Sequence, residues 1–134
     1  MRDKYFLDTN VCVYAFDMDS RKKEIALDLI MSNQATVSTQ VLMETSNVAL
    51  KKLKFRHEEI KMSIDYITLF CPLHIIELST VRLAFQINQQ YQYSLYDALI
   101  VASALEANCS ILYSEDMQHG QTVRGWLNIV NPFL

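Results

Sequence analysis

The chain has 134 residues, of which 51% are hydrophobic, and its formal net charge is −3. This length and composition fit a single folded domain, expected over residues 1–134, and exclude a disordered polypeptide. The net negative charge gives no overall attraction for nucleic acid, so binding of that kind would need a local basic patch or a metal ion. The two glycines exclude a P-loop and a dinucleotide fingerprint, because each needs several glycines in a fixed pattern.

The cysteines and the apolar runs bear on the compartment. The three cysteines, Cys12, Cys71 and Cys109, are an odd number without Cys-x-x-Cys spacing, which favours buried, reduced thiols over a disulfide framework or a zinc site. The apolar run at residues 5–7 is too short for a signal peptide, and no run reaches the length of a membrane span. We therefore expect a cytoplasmic protein that does not bind a membrane.

Strands and helices alternate along the predicted chain. The first half contains a strand at 4–7, a helix at 11–16, a helix at 21–31 capped by Ser20, a strand at 35–38, and helices at 40–52 and 56–70. The second half contains a strand at 74–78, a helix capped by Ser79 that ends at 91, a helix at 94–107 capped by Ser94, and strands at 110–113 and 127–130. This order predicts an α/β fold with a mostly parallel central sheet of about five strands flanked by helices.

Two predicted helices carry an acidic residue on their apolar stripe. One stripe consists of Val41, Glu44, Thr45 and Val48, and the other of Asp97, Ile100, Val101 and Ala104. Both follow the i, i+3, i+4, i+7 spacing of an inward face, where a carboxylate must be paired, protonated or bound to a metal ion. As alternatives, Asp97 completes a capping box with Ser94, and a small shift of the helix boundaries would turn Glu44 outward.

Two further acids, Asp8 and Asp116, follow predicted strands, and ligand sites in parallel sheets lie beyond the carboxyl ends of the strands. The alternatives are a helix cap for Asp8 and an ordinary turn for Asp116, with Glu115 as another candidate acid. Thr9 and Asn10 are placed to orient Asp8 by hydrogen bonds.

Four converging carboxylates repel one another and cannot all stay ionised without a cation. Oxygen ligands select Mg²⁺ or Mn²⁺ over zinc. Such an ion activates a bound water and stabilises the charge that develops on a phosphate. The densest basic stretch contains Lys51, Lys52, Lys54 and Arg56. It is either a solvated helix end or a surface that binds phosphates beside the acidic site.

Four segments at these acids resemble the PIN-domain nucleases, and among them the VapC-like toxins of bacterial type II toxin–antitoxin pairs. The segments are Phe-Leu-Asp-Thr-Asn-Val at 6–11, Glu-Thr-Ser-Asn-Val at 44–48, Tyr-Asp-Ala-Leu-Ile-Val-Ala-Ser-Ala at 96–104, and Leu-Tyr-Ser-Glu-Asp-Met at 112–117. They occur in the order and spacing of that family, and they span nearly the whole chain. The last segment departs from the family, in which Thr-x-Asp is common at this place.

The resemblance implies a PIN-like three-layer fold and a Mg²⁺- or Mn²⁺-dependent endoribonuclease. The catalytic and metal-binding acids would be Asp8, Glu44, Asp97 and Asp116, and the Ser114 hydroxyl would help to hold the site. A homodimer and a small antitoxin protein as partner are implied as well. The alternatives are a nuclease for DNA, a broader metal-dependent phosphoesterase, and a PIN-like module that binds a partner without catalysis.

Overall fold

The computed structural model describes residues 4–134. In chain order its elements are β1 (Tyr5–Leu7), α1 (Thr9–Tyr14), α2 (Ser20–Met31), β2 (Ala35–Ser38), α3 (Thr39–Lys51), α4 (His57–Phe70), β3 (Leu73–His74), α5 (Leu78–Tyr91), α6 (Leu95–Glu106), β4 (Ile111–Tyr113), β5 (Thr122–Val123) and β6 (Leu127–Val130). Within these residues the strands form one sheet in the order β3-β2-β1-β4-β6-β5. All neighbouring pairs are parallel except β5 and β6. The predicted α/β fold with a mostly parallel sheet is confirmed.

The central strands are short and buried. All three residues of β1 and all four of β2 are buried. A parallel strand covered by helices on both faces needs apolar side chains at successive positions, as Tyr5–Leu7 provides. In α6, seven of the twelve residues are buried, so this helix is part of the core as well as the carrier of Asp97.

The sheet has a switch point between β1 and β4. The chain passes from β1 to β2 on one side, and β4 adds to the opposite side of β1. The pairing continues one residue beyond the end of β1, because the Asp8 amide donates to the carbonyl of Tyr113, the last residue of β4, at 3.0 Å. A crevice at the carboxyl ends of the strands is the usual ligand site in such sheets, and Asp8 and Ser114 are the residues that follow β1 and β4.

The predicted strand at 74–78 is wrong. The strand β3 covers only Leu73–His74, whose partners in β2 are Val37 and Ser38. Past this short ladder the chain turns into α5, where the Thr80 hydroxyl accepts a hydrogen bond from the Glu77 amide at 3.1 Å. The residue that precedes this helix is therefore Glu77, and the prediction that Ser79 caps it is also wrong.

Three smaller differences concern helix starts and the sheet edge. The cap of α2 is Asp19, whose side chain accepts from the Lys22 amide at 3.0 Å, and not Ser20. The first helix begins at Thr9 rather than at residue 11. The sheet contains the two-residue strand β5, which was not predicted, beside β6.

All three cysteines are free and buried, as the sequence predicts. Of the helices within residues 4–134, none combines the length and the apolarity that crossing a bilayer requires.

Candidate functional site

A cleft of about 510 Å³ opens beside the carboxyl ends of β1 and β4. Six acidic residues line it: Asp8, Asp17, Glu44, Asp97, Glu115 and Asp116. The other lining residues are Thr9, Asn10, Val13, Tyr14, Val48, Lys52 and Leu53. All four acids singled out from the sequence thus line the same cleft, although they lie on four separate segments of the chain.

Asp8 is the most buried of these acids, with 6% of its surface exposed. One carboxylate oxygen accepts from the Thr9 amide at 2.7 Å, and the other accepts from the Ser114 hydroxyl at 2.8 Å. Burial raises the pKa of Asp8 from 3.8 to about 6, and the charges of Asp97 and Glu44 add to the increase, against these two hydrogen bonds. The helix-cap role and the place in the cleft are therefore both present.

Glu44 lies half-buried on α3 and is held by two donors. The Thr9 hydroxyl donates to Glu44 Oε1 at 2.5 Å, and the Gln40 amide donates to Glu44 Oε2 at 3.3 Å. The same Gln40 amide also donates to the Tyr96 carbonyl at 3.1 Å. Gln40 thereby connects α3 to the start of α6, the helix that carries Asp97.

Asp97 lies in the first turn of α6, where its backbone amide donates to the Ser94 hydroxyl at 3.2 Å. This is one of the two hydrogen bonds of the predicted capping box, the one that the Ser94 side chain accepts. The Asp97 carboxylate lines the cleft, and burial raises its pKa, with smaller contributions from the charges of Asp116 and Glu44.

Asn10 connects Asp116 to Asp8 through its side-chain amide. Its side-chain amide donates to Asp116 Oδ2 at 3.1 Å and lies 3.4 Å from Asp8 Oδ2. Its carbonyl oxygen accepts from the Glu115 amide at 3.1 Å. Asn10 therefore links the start of α1 to the turn after β4.

Glu115, the alternative fourth acid, has both carboxylate oxygens occupied. The Tyr14 hydroxyl donates to one at 2.7 Å, and the Lys22 ammonium donates to the other at 2.6 Å. Burial raises the pKa of Glu115, but the hydrogen bonds from Lys22 and Tyr14 together lower it by more, so the pKa lies below its ordinary value. Asp116, in contrast, is exposed on the cleft side of the turn.

The basic stretch touches the cleft at one residue. Lys52, which follows the last turn of α3, lines the cleft together with Leu53. Lys51 and Lys54 are exposed, and the Arg56 guanidinium pairs with Glu59 at 3.3 Å.

The chemistry of the cleft fits a divalent cation. Its carboxylates are hard oxygen donors, and burial raises the pKa values of Asp8 and Asp97, with smaller contributions from neighbouring carboxylates. Within residues 4–134 no three acidic, histidine or cysteine side chains stand close enough together to enclose an ion. Mg²⁺ keeps several waters and needs only one or two direct carboxylates, so a hydrated ion between these acids agrees with this spacing.

Four residues of the cleft wall were not singled out by the sequence patterns. They are Val13, Tyr14, Asp17 and Leu53. Val48, which also lines the cleft, lies on the apolar stripe that carries Glu44. The other four belong to none of the motifs, so the tertiary structure alone places them at the cleft.

The sequence model of the PIN domain family matches residues 5–124, and the chain belongs to this family. A comparison with curated protein sequences gives no match.

Solved structures with the same fold cover nearly the whole chain. A toxin–antitoxin complex from Klebsiella pneumoniae has a TM-score of 0.73 at 21% identity, over 96% of this chain and 98% of that chain. VapC20 of Mycobacterium tuberculosis, a sarcin–ricin loop cleaving toxin, has a TM-score of 0.67 at 17% identity, over 84% and 90%. DNA-bound VapBC from Salmonella typhimurium has a TM-score of 0.68 at 18% identity, over 96% and 98%.

Proposed function

We propose that the protein is a Mg²⁺- or Mn²⁺-dependent endoribonuclease and the toxin of a toxin–antitoxin pair. The observation that carries this proposal is the convergence of Asp8, Glu44, Asp97 and Asp116 on one cleft at the switch point of the sheet. Repelling carboxylates in a partly buried site are stabilised by a divalent cation. Membership of the PIN domain family supports hydrolysis of a phosphodiester.

Each group of the cleft has a distinct part in this proposal. The four acids would surround a hydrated ion and bind it partly through its waters, and the ion would supply an activated water and stabilise negative charge on the phosphate. The Ser114 and Thr9 hydroxyls hold the carboxylates of Asp8 and Glu44 in place. Lys52 provides a positive charge at the cleft for an RNA phosphate.

The wider basic stretch would extend the RNA-binding surface from Lys52 to Lys51, Lys54 and Arg56. Because the net charge of the chain is −3, attraction for RNA must be local. The exposure of Lys51 and Lys54 leaves both side chains accessible to phosphates.

Partners follow from the similar proteins. The Klebsiella pneumoniae structure is described as a toxin–antitoxin complex, and this supports a small antitoxin as the partner of this chain. We also propose a homodimer that acts in the cytoplasm.

A cleavage assay tests the proposed function. The purified protein is incubated with a labelled single-stranded RNA and with DNA of the same sequence, in Mg²⁺, in Mn²⁺ and in EDTA. We expect cleavage of RNA in either metal and none in EDTA. Preferred cleavage of DNA would favour the DNA nuclease. Metal binding without cleavage of either would favour a binding module.

A further inference from the structure

Lys22 of α2 has its ammonium group enclosed by three other parts of the chain. Nζ lies 2.6 Å from Glu115 Oε2 and 3.2 Å from the Tyr14 hydroxyl. It also lies over the rings of Tyr14 and Phe133, at 4.7 Å and 5.5 Å from their centroids. The side chains of Lys22 and Glu115 are only 27% and 24% exposed. This pair is therefore better shielded from solvent than an ordinary surface salt bridge.

Both carboxylate oxygens of Glu115 are already bonded within the protein in this arrangement. Its Oε1 accepts from the Tyr14 hydroxyl and its Oε2 from Lys22, so a protein cation already neutralises the carboxylate. Its backbone amide donates to Asn10 at 3.1 Å. Residue 115 is thus anchored at both its side chain and its backbone.

The next residue in the chain is Asp116, one of the four acids proposed to hold the ion. Its carboxylate accepts from Asn10 at 3.1 Å and is otherwise exposed to the cleft. The position of Asp116 therefore depends on the turn that carries it, and the anchor at Glu115 is immediately before it. Without Lys22, Glu115 would bring another unpaired charge to a cleft already lined by acids.

We propose that Lys22 is a positioning residue for the metal site: it binds the Glu115 carboxylate, keeps it from the ion, and fixes the turn that presents Asp116. This inference rests on the proposed function, because it assumes that the cleft binds a divalent cation. Lys22 itself does not line the cleft, so it would act through Glu115 and not by touching the ion or the RNA.

Binding of Mn²⁺ to the purified protein, followed by electron paramagnetic resonance, tests this role without any cleavage reaction. We expect Lys22→Met to raise the Mn²⁺ dissociation constant about tenfold, the lower end of the range for residues that support a metal site from outside it, because the turn that carries Asp116 would lose an anchor. Lys23→Met is the matched control, because Lys23 is exposed on the same helix and the change removes the same charge. Lys22→Arg should keep most of the affinity.

A second variant tests whether Lys22 acts through Glu115. Glu115→Ala should weaken Mn²⁺ binding by a similar factor, and the double variant should bind no more weakly than either single variant, because both remove one anchor. Additive losses would contradict the shared anchor. Mn²⁺ binding by Lys22→Met that is unchanged or tighter would overturn the positioning role.

The failure of this inference can be distinguished from the failure of the proposed function. If Asp97→Asn loses Mn²⁺ affinity and Lys22→Met does not, the metal site stands and the role of Lys22 is wrong. If the wild-type protein binds no Mn²⁺, both proposals fall. Circular dichroism of each variant confirms that it is folded before binding is measured.

Discussion

Ser114 Oγ donates a hydrogen bond of 2.8 Å to Asp8 Oδ2 and so connects the end of β4 to the end of β1. The same hydroxyl accepts from the Met117 amide at 3.2 Å, which closes the turn that carries Asp116. A single buried hydroxyl therefore supports both the most buried acid and the turn of the most exposed one. Its bond to Asp8 only partly offsets the effect of burial on that carboxylate, because the pKa of Asp8 is raised to about 6.

This raised pKa predicts how stability depends on pH in the absence of metal. The folded protein binds a proton on Asp8 more tightly than the unfolded chain does, so stability should fall as the pH rises from 3.8 to about 6. Asp8→Asn removes the buried charge. In EDTA at pH 7.5 it should increase the free energy of unfolding by up to about 3 kcal/mol, since one pKa unit corresponds to 1.36 kcal/mol.

Urea unfolding of the wild-type protein and of Asp8→Asn at pH 4, 5, 6 and 7.5 measures this effect. The difference between the two should nearly vanish at pH 4. Asp65→Asn, a change at an exposed position of α4, is the control and should change little at any pH. If the wild-type protein is as stable as Asp8→Asn at pH 7.5, the buried charge of Asp8 does not lower the stability of the fold.

Asp97→Asn tests the acid on α6. The proposed metal site predicts that this change reduces RNA cleavage by about 100-fold, because it removes one of the negative charges that would bind the ion. The helix should remain, since the Ser94 hydroxyl still accepts from the backbone amide of residue 97. Initial rates of cleavage and thermal unfolding are measured together. A folded variant that cleaves RNA at the wild-type rate would leave Asp97 with the cap alone, and Asp65→Asn again serves as the control.

The basic stretch predicts a salt-dependent effect that is centred on Lys52. In the inactive Asp97→Asn background, Lys52→Gln should weaken RNA binding and reduce the slope of log affinity against log salt by about 0.7, the value for one phosphate of a single strand. Arg56→Gln should have a smaller effect, because its guanidinium already pairs with Glu59. Lys23→Gln controls for the lost charge. An unchanged slope for Lys52→Gln would place the RNA elsewhere on the surface.

The helices and the central strands could be predicted from the sequence because their patterns are local. The stripe with Glu44 and the stripe with Asp97 each repeat at helical spacing, and both acids line the cleft. The end of strand β3 could not be predicted, because Ile75 and Ile76 are apolar and yet lie outside the sheet. Only Leu73 and His74 pair with β2. Nothing in their composition marks that point. The two-residue strand β5 gives an equally weak signal.

The contacts that organise the site could not be predicted, because they join residues far apart in the chain. The pair of Lys22 and Glu115 spans 93 residues, and the bond from Asn10 to Asp116 spans 106. Each of these side chains has an ordinary local explanation as a solvated charge or a turn residue. Both Glu115 and Asp116 line the cleft, and the ion pair of Glu115 with Lys22, which distinguishes the two acids, is contained in no local pattern.

An antitoxin that inhibits this protein should place an arginine among Asp8, Glu44 and Asp97. The carboxylates of Asp8, Glu44 and Asp97 line one cleft, and a guanidinium can bind two carboxylate oxygens at once. Such an arginine would compete directly with Mg²⁺. The rest of the binding energy should come from an apolar helix of the antitoxin laid in a groove.

Co-expression with the adjacent small reading frame, followed by co-purification and cleavage assays over a range of Mg²⁺ concentrations, checks this prediction. Inhibition should be strongest at low Mg²⁺ and weaken as Mg²⁺ rises, because the ion and the guanidinium share one site. Replacing that arginine of the partner by alanine should restore cleavage while the two proteins still co-purify through the apolar contact. A complex that cleaves RNA fully at low Mg²⁺, or inhibition that is independent of Mg²⁺, would show that the partner does not act through the acids of the cleft.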